Sequence, residues 1–252
     1  MRYLLGIDVG GTFTDFVAYD RDGGSIDVWK VMSVPGDPVA GILDGLSRHR
    51  HRNDIENVRL GTTVATNLVL ERKGARVAYV TTRGFRDIPF IQRGNRKFHY
   101  DMSWVKPKPL VERWHCYEVS ERVDAHGNVL TPLDEAGMRA IAKTIARNPE
   151  IEAIAICFLF SYLNPAHELR AREILAEALP HLPISISYEV LPKWKEYERA
   201  TTTLADAYLK PAVGRQLIDM RERLNQGGIE APAVITSRAR LPRSAWMAGI
   251  MR

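Results

Sequence analysis

The sequence predicts an α/β fold built on a largely parallel or mixed sheet. Short apolar runs typical of strands alternate along the chain with longer segments whose apolar residues recur at helical spacing. The run 153–160 is almost continuously apolar, which is typical of a buried strand, and a helical pattern lies on either side of it. Alternation of this kind places helices against a sheet. With 252 residues the chain has room for one large domain or two smaller ones.

The first part of the chain is predicted to form a three-stranded meander followed by a helix. Its strands cover residues 2–9, 12–20 and 25–34. The Gly10-Gly11 pair and the glycine-rich segment 22–24 supply the two turns. Asp37 is then expected to cap a helix that has Pro38 at its first position, because apolar residues recur behind them at helical spacing.

The middle of the chain is predicted to continue with a strand, a helix and another strand. The segment 57–73 holds the strand and a helix that opens on Thr62 or Thr63, with Gly74 as the residue that ends it. Residues 76–81 then form the second strand of this stretch.

A long segment with few strand or helix signals follows. Residues 84–118 are rich in proline, arginine and aromatic residues, and we expect an ordered excursion with a functional role, because structureless loops of that length are uncommon. A hairpin is predicted to pair residues 117–123 with residues 129–130. Thr131 is expected to cap the next helix, with Pro132 at its first position.

The last third predicts a strand, a helix, a strand and a long helix. These are a strand over 151–160, a helix between Asn164 and Pro180, a strand beginning at Ile184, and a helix over about 195–225 that Pro211 kinks or interrupts. Thr201, Thr202 and Thr203 lie in the long helix, although β-branched residues lower helix propensity. Either burial overrides that preference or the hydroxyls have a function.

The strongest indication of function is the segment 6–15, Gly-Ile-Asp-Val-Gly-Gly-Thr-Phe-Thr-Asp. The Gly10-Gly11 pair lets the backbone come close to a bulky anion, because no Cβ stands in the way. Successive N–H groups in such a turn form an anion-binding concavity, which the hydroxyls of Thr12 and Thr14 extend.

Two carboxylates flank this turn. Asp8 precedes it, where a carboxylate can hold a hydrated Mg²⁺, and Asp15 lies on the strand that leaves it. An ordinary β-hairpin is the alternative interpretation, since glycine, aspartate and threonine are common turn residues. Asp15 favours the cation–phosphate site, because a hairpin needs no such acid.

A second candidate anion site is the segment 60–67, Leu-Gly-Thr-Thr-Val-Ala-Thr-Asn. Gly61 turns the chain into the predicted helix, and a helix N-terminus presents free N–H groups. The hydrogen-bonding side chains are Thr62, Thr63, Thr66 and Asn67. The alternative is that Thr62 only caps the helix, a role that needs one hydroxyl and not a cluster.

The order strand, Asp, Gly-Gly, Thr, strand resembles the first phosphate loop of the actin/hexokinase/Hsp70 class of ATP-binding proteins. Further motifs follow at 61–67, 81–87, 105–111, 121–124 and 196–203. Together they resemble the hydantoinase A/5-oxoprolinase family over roughly residues 3–225. The resemblance implies an actin-like ATPase half with a mixed sheet, incomplete relative to the family, whose members are much longer.

The resemblance also implies a chemistry. Family members are ATP-dependent enzymes that open cyclic amides, so ATP and Mg²⁺ are the expected cofactors, a cyclic amide the substrate and a hydantoinase B-type subunit the partner. The implied catalytic residues are Asp8, which would also hold the metal, and Asp15. The implied nucleotide-binding residues are Gly10, Gly11, Thr12, Thr14, Gly61, Thr62, Thr63, Thr66 and Asn67.

Three other functions stay open. Close relatives are subunits of acetone-type and acetophenone-type carboxylases. Sugar kinases begin with a similar Asp-x-Gly-Gly-Thr, although the motifs at 61–67 and 196–203 argue against them. A catalytically inactive fragment that packs against partner subunits is the last.

The resemblance implies a division of the chain into three parts. Residues 1–190 would form the N-terminal α/β domain and residues 191–225 the helical start of the core domain. Residues 226–252 form an atypical basic tail, with four arginines and no acid over 238–252, and we expect a truncation or frameshift there.

Composition excludes several functions. The net charge of +5 comes largely from that tail, so the rest is near neutral, and no nucleic-acid partner is expected. Cys116 and Cys157 fit no disulfide or metal spacing, and Cys157 is expected to be a small buried hydrophobe. No apolar run is long enough for a membrane span and no signal peptide is evident, so we expect a cytoplasmic protein.

Overall fold

The computed structural model describes residues 2–34, 36–51, 54–94, 100–226 and 233–237. Unit 1 consists of the described residues up to Glu71 and from Val213 onward, and unit 2 consists of Arg72–Ala212. The strands are β1 (Tyr3–Val9), β2 (Phe13–Asp20), β3 (Ile26–Met32), β4 (Ile55–Thr62), β5 (Val77–Thr82), β6 (Cys116–Val119), β7 (Arg122–Val123), β8 (Val129–Thr131), β9 (Ala153–Cys157), β10 (Ile184–Ile186) and β11 (Ala233–Ser237). The helices are α1 (Pro38–Ser47), α2 (Val64–Leu70), α3 (Ile88–Ile91), α4 (Glu135–Ala146), α5 (Ala166–Ala178), α6 (Ser187–Val190) and α7 (Glu196–Gln226).

The sheet of unit 1 has five strands in the order β11-β4-β1-β2-β3. β4 runs parallel to both β1 and β11, whereas β2 runs antiparallel to both β1 and β3. The sheet is therefore mixed, and the predicted three-stranded meander is confirmed. Burial alternates along β1 and β2, so one face of these strands packs inward and the other is exposed or half-buried.

Helix α1 forms as the sequence predicts. The Asp37 carboxylate accepts a hydrogen bond from the Ala40 N–H at 3.1 Å, which satisfies a free donor of the first turn. Pro38 occupies the first helical position, where no N–H is needed. The apolar residues that the helix buries are Val39, Ile42 and Leu46.

Helix α2 begins where predicted, but the prediction that Gly74 ends it is wrong. The helix ends at Leu70, and Arg72 takes the left-handed conformation with φ 54°. Gly74 is instead required by packing, since a Cβ there would stand 2.1 Å from the Tyr208 ring. Local sequence could not reveal this contact, because Tyr208 is remote along the chain.

The sheet of unit 2 has four strands, all parallel, in the order β10-β9-β5-β6. Every residue of β5 and β9 is buried, as expected of parallel strands covered on both faces. The core around them includes Met138 and Ile145 from α4 and Ile174 and Leu175 from α5. The predicted buried strand is confirmed, although it ends at Cys157 and not at residue 160.

Two predicted boundaries in unit 2 are wrong. Helix α4 is capped by Asp134, whose carboxylate accepts from the Gly137 N–H at 2.9 Å, and not by Thr131. Thr131 pairs with Arg122 in the β7–β8 hairpin. The predicted hairpin arm 117–123 is also divided, because β6 joins the parallel sheet beside β5 and only β7 belongs to the hairpin. Local residue types suit either Thr131 or Asp134 as the helix cap, and they suit one long hairpin arm as well as two short strands. The observed strand pairing decides both cases.

Helix α7 is continuous, so Pro211 does not interrupt it. Each of the three consecutive threonines donates its hydroxyl hydrogen to a carbonyl oxygen one turn back. These bonds join Thr201 to Tyr197 at 2.8 Å, Thr202 to Glu198 at 2.7 Å and Thr203 to Arg199 at 2.7 Å. Of the two alternatives for these threonines, the contacts favour packing within the helix over a direct role of the hydroxyls.

The predicted three-part division of the chain differs from the two units and stays a prediction. Most of the predicted tail at 226–252 lies outside the described residues. Within the part of the chain that the structure describes, no helix combines the length and the apolar character that crossing a membrane requires.

Candidate functional site

The two glycine motifs lie at one edge of the sheet in unit 1. β1 and β4 are parallel neighbours, with Asp8 paired to Gly61 and Val9 to Thr62. Both strands therefore end at the same edge, where β1 leads into the turn at 10–12 and β4 leads into α2. The sequence predicted each motif separately, and the pairing of the two strands brings them together.

The turn between β1 and β2 is tight and open to solvent. The Gly10 N–H donates to the Phe13 carbonyl at 3.0 Å, and a Cβ at Gly10 would stand 2.9 Å from that oxygen, so the position requires glycine. A Cβ at Gly11 would have nothing within 4 Å, and both Gly11 and Thr12 are exposed. The backbone of the turn is therefore accessible to a bulky anion.

The partly buried Ser33, the residue after β3, holds the turn, a role that the sequence did not predict. Its N–H donates to the Thr12 carbonyl at 2.9 Å, and its hydroxyl donates to the Gly10 carbonyl at 2.8 Å. Thr14 is fully buried, and its Oγ1 lies 3.0 Å from Ser33 Oγ. Because the Ser33 hydrogen goes to Gly10, Thr14 is the donor in that pair. Phosphate binding by Thr14 stays a prediction, and these contacts do not support it.

Asp8 and Asp15 lie directly opposite each other on neighbouring antiparallel strands. Side chains in that relation share one face of the sheet, with Cβ atoms about 5 Å apart. On the same face Asp8 lies beside Gly61, where a Cβ would approach Asp8 Oδ1 to 3.0 Å, and Asp15 lies beside Lys30. Gly61, Asp8, Asp15 and Lys30 therefore form one row across β4, β1, β2 and β3, and this row contains both acids predicted from the sequence.

The opposed acids suit a hydrated divalent cation. Like charges directly opposite across strands are destabilising, and a cation between them offsets the repulsion. Mg²⁺ takes one or two carboxylates and fills its remaining positions with water and phosphate oxygens. Among the described residues no three His, Cys, Asp or Glu side chains gather as metal ligands, so a cation here would depend on those other oxygens.

The junction of β4 and α2 offers polar groups on a short helix. The N-cap residue of α2 is Thr63, whose side chain makes no capping hydrogen bond. Thr62 Oγ1 accepts from the Val64 N–H at 3.3 Å, a local turn bond from the residue before the cap. The side chains of Thr63, Thr66 and Asn67 make no hydrogen bond within the described part of the chain, and the last two are exposed. Because α2 has only seven residues, its dipole contributes little, and hydroxyl and amide groups are the main attraction for an anion.

Comparison with known families identifies the chain. Residues 4–179 match the family described as the hydantoinase/oxoprolinase N-terminal region. The chain belongs to the hydantoinase/oxoprolinase family. The resemblance found in the sequence motifs is thereby confirmed.

Three relatives cover almost all of the chain. An uncharacterised protein of Methanocaldococcus jannaschii is 40% identical over 232 residues, 90% of this chain and 34% of that protein. The acetophenone carboxylase gamma subunit of Aromatoleum aromaticum is 34% identical over 253 residues, 89% of this chain and 33% of that protein. The crystal structure of the ATP-dependent caprolactamase from Pseudomonas jessenii matches with a TM-score of 0.80 at 33% identity, covering 92% of this chain and 35% of that one. The chain spans about a third of the length of these relatives.

Unit 2 of this family member contains a buried polar cluster that sequence reasoning missed. The fully buried Glu168 carboxylate accepts from Ser187 Oγ at 2.6 Å and from the Phe158 N–H at 2.8 Å. Burial raises the pKa of this carboxyl. The buried Arg199 guanidinium donates to the Phe158 carbonyl at 2.7 Å and to the Ser161 hydroxyl. These bonds tie the end of β9 to α5, α6 and α7, so the cluster supports the fold.

The two cysteines are not activated. Burial raises the pKa of the Cys116 thiol to about 12 and that of the Cys157 thiol to about 11. Both thiols are therefore protonated at neutral pH. The prediction that Cys157 is buried is confirmed. Its thiol also lies within hydrogen-bonding reach of Ser187 and Tyr79, so its surroundings are partly polar.

Proposed function

We propose that the chain is the N-terminal part of an ATP-dependent cyclic-amide hydrolase of the hydantoinase/5-oxoprolinase type, and that unit 1 is an actin-like half of its nucleotide-binding fold. The observation that carries the proposal is the opposed pair Asp8 and Asp15 beside an open glycine turn. The ATP dependence of the Pseudomonas jessenii caprolactamase supports it.

In this proposal the turn binds phosphate and the acids hold the cation. Gly10, Gly11 and Thr12 supply backbone N–H groups to a phosphate, because the turn is open at Gly11. Asp8 holds Mg²⁺ through water, and Asp15 is a second carboxylate on the metal side. The residues proposed to complete the site from the β4–α2 junction are Gly61, Thr62, Thr63, Thr66 and Asn67.

The reaction follows from what such a site can do. Bound ATP would supply a phosphoryl group for the amide oxygen of a lactam or imide, which makes the ring carbon a better electrophile for water. Phosphoryl transfer depends on positioning and on neutralisation of charge. The turn would provide the first and the carboxylate-held cation the second. A hydantoinase B-type subunit is the proposed partner, since the Aromatoleum aromaticum relative is itself a subunit.

A subunit of an acetone- or acetophenone-type carboxylase is the second candidate. The 34% identity with the acetophenone carboxylase gamma subunit favours it. The phosphoryl acceptor would then be an enolate oxygen. Both candidates use the same Mg·ATP site, so they differ in the acceptor and not in the residues of unit 1.

The test of the site is Mg·ATP binding by the 252-residue chain, measured by isothermal calorimetry. We expect Asp8→Asn to weaken binding by about tenfold or more, equivalent to about 1.4 kcal/mol, because the cation loses a charged partner. Asp27→Asn is the matched control, since Asp27 is an exposed carboxylate on β3 at the opposite end of the same sheet.

Two results would count against the proposal. Equal binding by the unchanged chain and Asp8→Asn would remove Asp8 from the site. Absence of Mg·ATP binding by the unchanged, folded chain would instead favour the inactive fragment.

A further inference from the structure

The row that contains Asp8 and Asp15 ends in a lysine to which the proposed function gives no role. Lys30 on β3 lies directly opposite Asp15, so its side chain shares the open face of the sheet with both acids. The side chain is exposed. In the described part of the chain β3 is the edge strand of this sheet, so Lys30 stands at one end of the row. A cation therefore lies in the same row as the carboxylates proposed to hold Mg²⁺.

The ammonium of Lys30 contacts an aromatic ring and not the neighbouring carboxylate. Its Nζ lies 5.1 Å from the centroid of the Phe13 ring. Neither the Lys30 nor the Asp15 side chain makes a hydrogen bond or an ion pair within the part of the chain that the structure describes. The face of a ring attracts a cation, but it does not satisfy the three N–H donors of an ammonium as oxygen acceptors would. The Lys30 donors are therefore available to a ligand.

The ring contact places this ammonium next to the glycine turn. Phe13 is the first residue of β2 and follows Thr12 directly, and its carbonyl accepts the Gly10 N–H that closes the turn. Phe13 lies on the same face as Asp15, two residues nearer to the turn. The Lys30 ammonium is therefore held beside the residue that leaves the turn proposed to bind phosphate.

The proposed site needs a further positive charge. Two aspartates and one Mg²⁺ carry no net charge together, whereas the phosphate chain of ATP is strongly anionic. Phosphoryl transfer depends on neutralisation of that charge. Backbone N–H groups contribute partial charges only, while a lysine ammonium is a compact full charge that suits phosphate. Lys30 supplies such a charge in the row of the two acids.

We propose that Lys30 binds a phosphate of the nucleotide beside the carboxylate-held cation, an inference that rests on the proposed function and adds a residue to its site. The ammonium donates hydrogen bonds to phosphate oxygens, and the Phe13 ring holds it at the turn before the nucleotide arrives. The alternative is that Lys30 only protects the edge strand β3 from pairing with another chain, since lysine is common at exposed sheet edges.

The test compares Mg·ATP binding by the unchanged 252-residue chain, Lys30→Gln and Lys30→Arg, measured by isothermal calorimetry. Circular dichroism first establishes that the variants are folded. We expect Lys30→Gln to bind about tenfold more weakly or worse, because a charge-assisted hydrogen bond to phosphate is lost. Lys30→Arg should bind within about threefold of the unchanged chain, because it restores the charge. Unchanged binding by a folded Lys30→Gln chain would overturn the contact and favour the edge-protecting role.

Arg59→Gln is the matched control. Arg59 on β4 is also an exposed cation on this face, and its side chain makes no hydrogen bond or ion pair among the described residues. It lies beside Gly6, one row farther from the turn than Asp8. We expect Arg59→Gln to bind Mg·ATP within about threefold of the unchanged chain. Equal weakening in Arg59→Gln and Lys30→Gln would mean that positive charge acts on the nucleotide from a distance, which would overturn a specific contact with Lys30.

The two proposals fail separately. Mg·ATP binding that depends on Asp8 but not on Lys30 would overturn the Lys30 contact alone. Binding that depends on Lys30 but not on Asp8 would support the contact and remove Asp8 from the site. If the unchanged, folded chain binds no Mg·ATP, magnesium pyrophosphate is the second probe, because it needs no adenosine contact. Pyrophosphate binding that Lys30→Gln weakens would support the contact without the nucleotide site, and absence of pyrophosphate binding would overturn the contact as well.

Discussion

The two sheets of the molecule bury their strands in different ways. Burial alternates residue by residue along β2 in unit 1, whereas every residue of β5 and β9 in unit 2 is buried. Parallel strands covered on both faces become continuously apolar, while a sheet with one covered face alternates. The difference indicates which surfaces a ligand can reach in each unit. In unit 1 it can contact the exposed face of the sheet. In unit 2 both faces of the central strands are covered, so a ligand would contact the segments around the sheet.

The open face of unit 1 carries both polar and apolar groups. At the end where β1 enters the glycine turn it carries Asp8 and Asp15. Farther along the same two strands it carries Leu4, Val17 and Tyr19, which are 38%, 43% and 41% exposed. A cleft of about 550 Å³ lies over this apolar part. The described residues of β1 and β2 on this face are exposed or half-buried, so the proposed nucleotide site occupies one end of an open face.

The largest expected difference between the units is in the cost of deleting a strand side chain. Ile156 in β9 is fully buried, whereas Val17 in β2 is 43% exposed. We expect Ile156→Ala to lower the free energy of unfolding by about 3 kcal/mol, because it removes buried methyl groups and leaves a cavity. Val17→Ala on the open face should cost below about 0.5 kcal/mol. Urea unfolding followed by circular dichroism measures both.

Similar losses of unfolding free energy in Ile156→Ala and Val17→Ala would contradict the difference in burial between the two sheets. A large loss in Val17→Ala would mean that the face exposed in this structure is covered in solution. A small loss in Ile156→Ala would mean that the sheet of unit 2 is packed on one side only.

Much of the fold could be predicted because its signals are local. The residues around Ile156 are nearly all apolar, which predicts that the strand is buried. The helix cap Asp37 is followed directly by Pro38, which predicts where the helix begins. Gly74 and Thr131 were misjudged for a different reason. The role of Gly74 depends on Tyr208, and that of Thr131 on its pairing with Arg122. Neither partner can be identified from neighbouring residues.

The candidate site also has residues that the sequence could predict and contacts that it could not. Asp8 and Gly10 stand in a motif that the sequence displays directly, and so does Gly61. That Asp8 lies beside Gly61 depends on the parallel pairing of β1 and β4, which no motif records. Ser33 was missed because a single serine after a strand has many possible roles, and its bond to Gly10 arises only when the meander closes.

The covered face of unit 1 should be as intolerant of added volume as the core of unit 2. A Cβ at Gly45 in α1 would stand 2.1 Å from the ring of Phe16, which is fully buried and stacked on Trp29 with centroids 5.0 Å apart. Alanine favours a helix by about 1 kcal/mol over glycine, but overpacking costs about 1–3 kcal/mol. We therefore expect Gly45→Ala to reduce the free energy of unfolding, by up to about 2 kcal/mol, in urea unfolding.

Gly214 in α7 is the matched control for that prediction. It is also a helical glycine of unit 1, but a Cβ there would meet nothing within 4 Å. Gly214→Ala should raise stability by about 0.4–1 kcal/mol. If both variants were stabilised, the contact between α1 and the sheet would be looser than the structure indicates.

The smallest effect concerns exposed ion pairs, which should differ little between the units. In unit 2 the hydrogen bonds from Arg170, with those from Arg139, lower the pKa of Glu135 to about 2. In unit 1 the hydrogen bond from Arg223 lowers the pKa of Asp37. A carboxyl with a depressed folded-state pKa stabilises the fold above its unfolded pKa, about 4.3 for Glu, and loses that contribution as the pH falls toward 2.

Melting temperatures between pH 5 and pH 2 should therefore decline less steeply in Glu135→Gln than in the unchanged chain, since glutamine does not titrate. The effect should be small and should shrink with added salt, because Glu135 and Arg170 are both partly exposed. Asp37→Asn should flatten the same limb in unit 1. Parallel melting curves for Glu135→Gln and the unchanged chain would mean that this pair contributes nothing to stability.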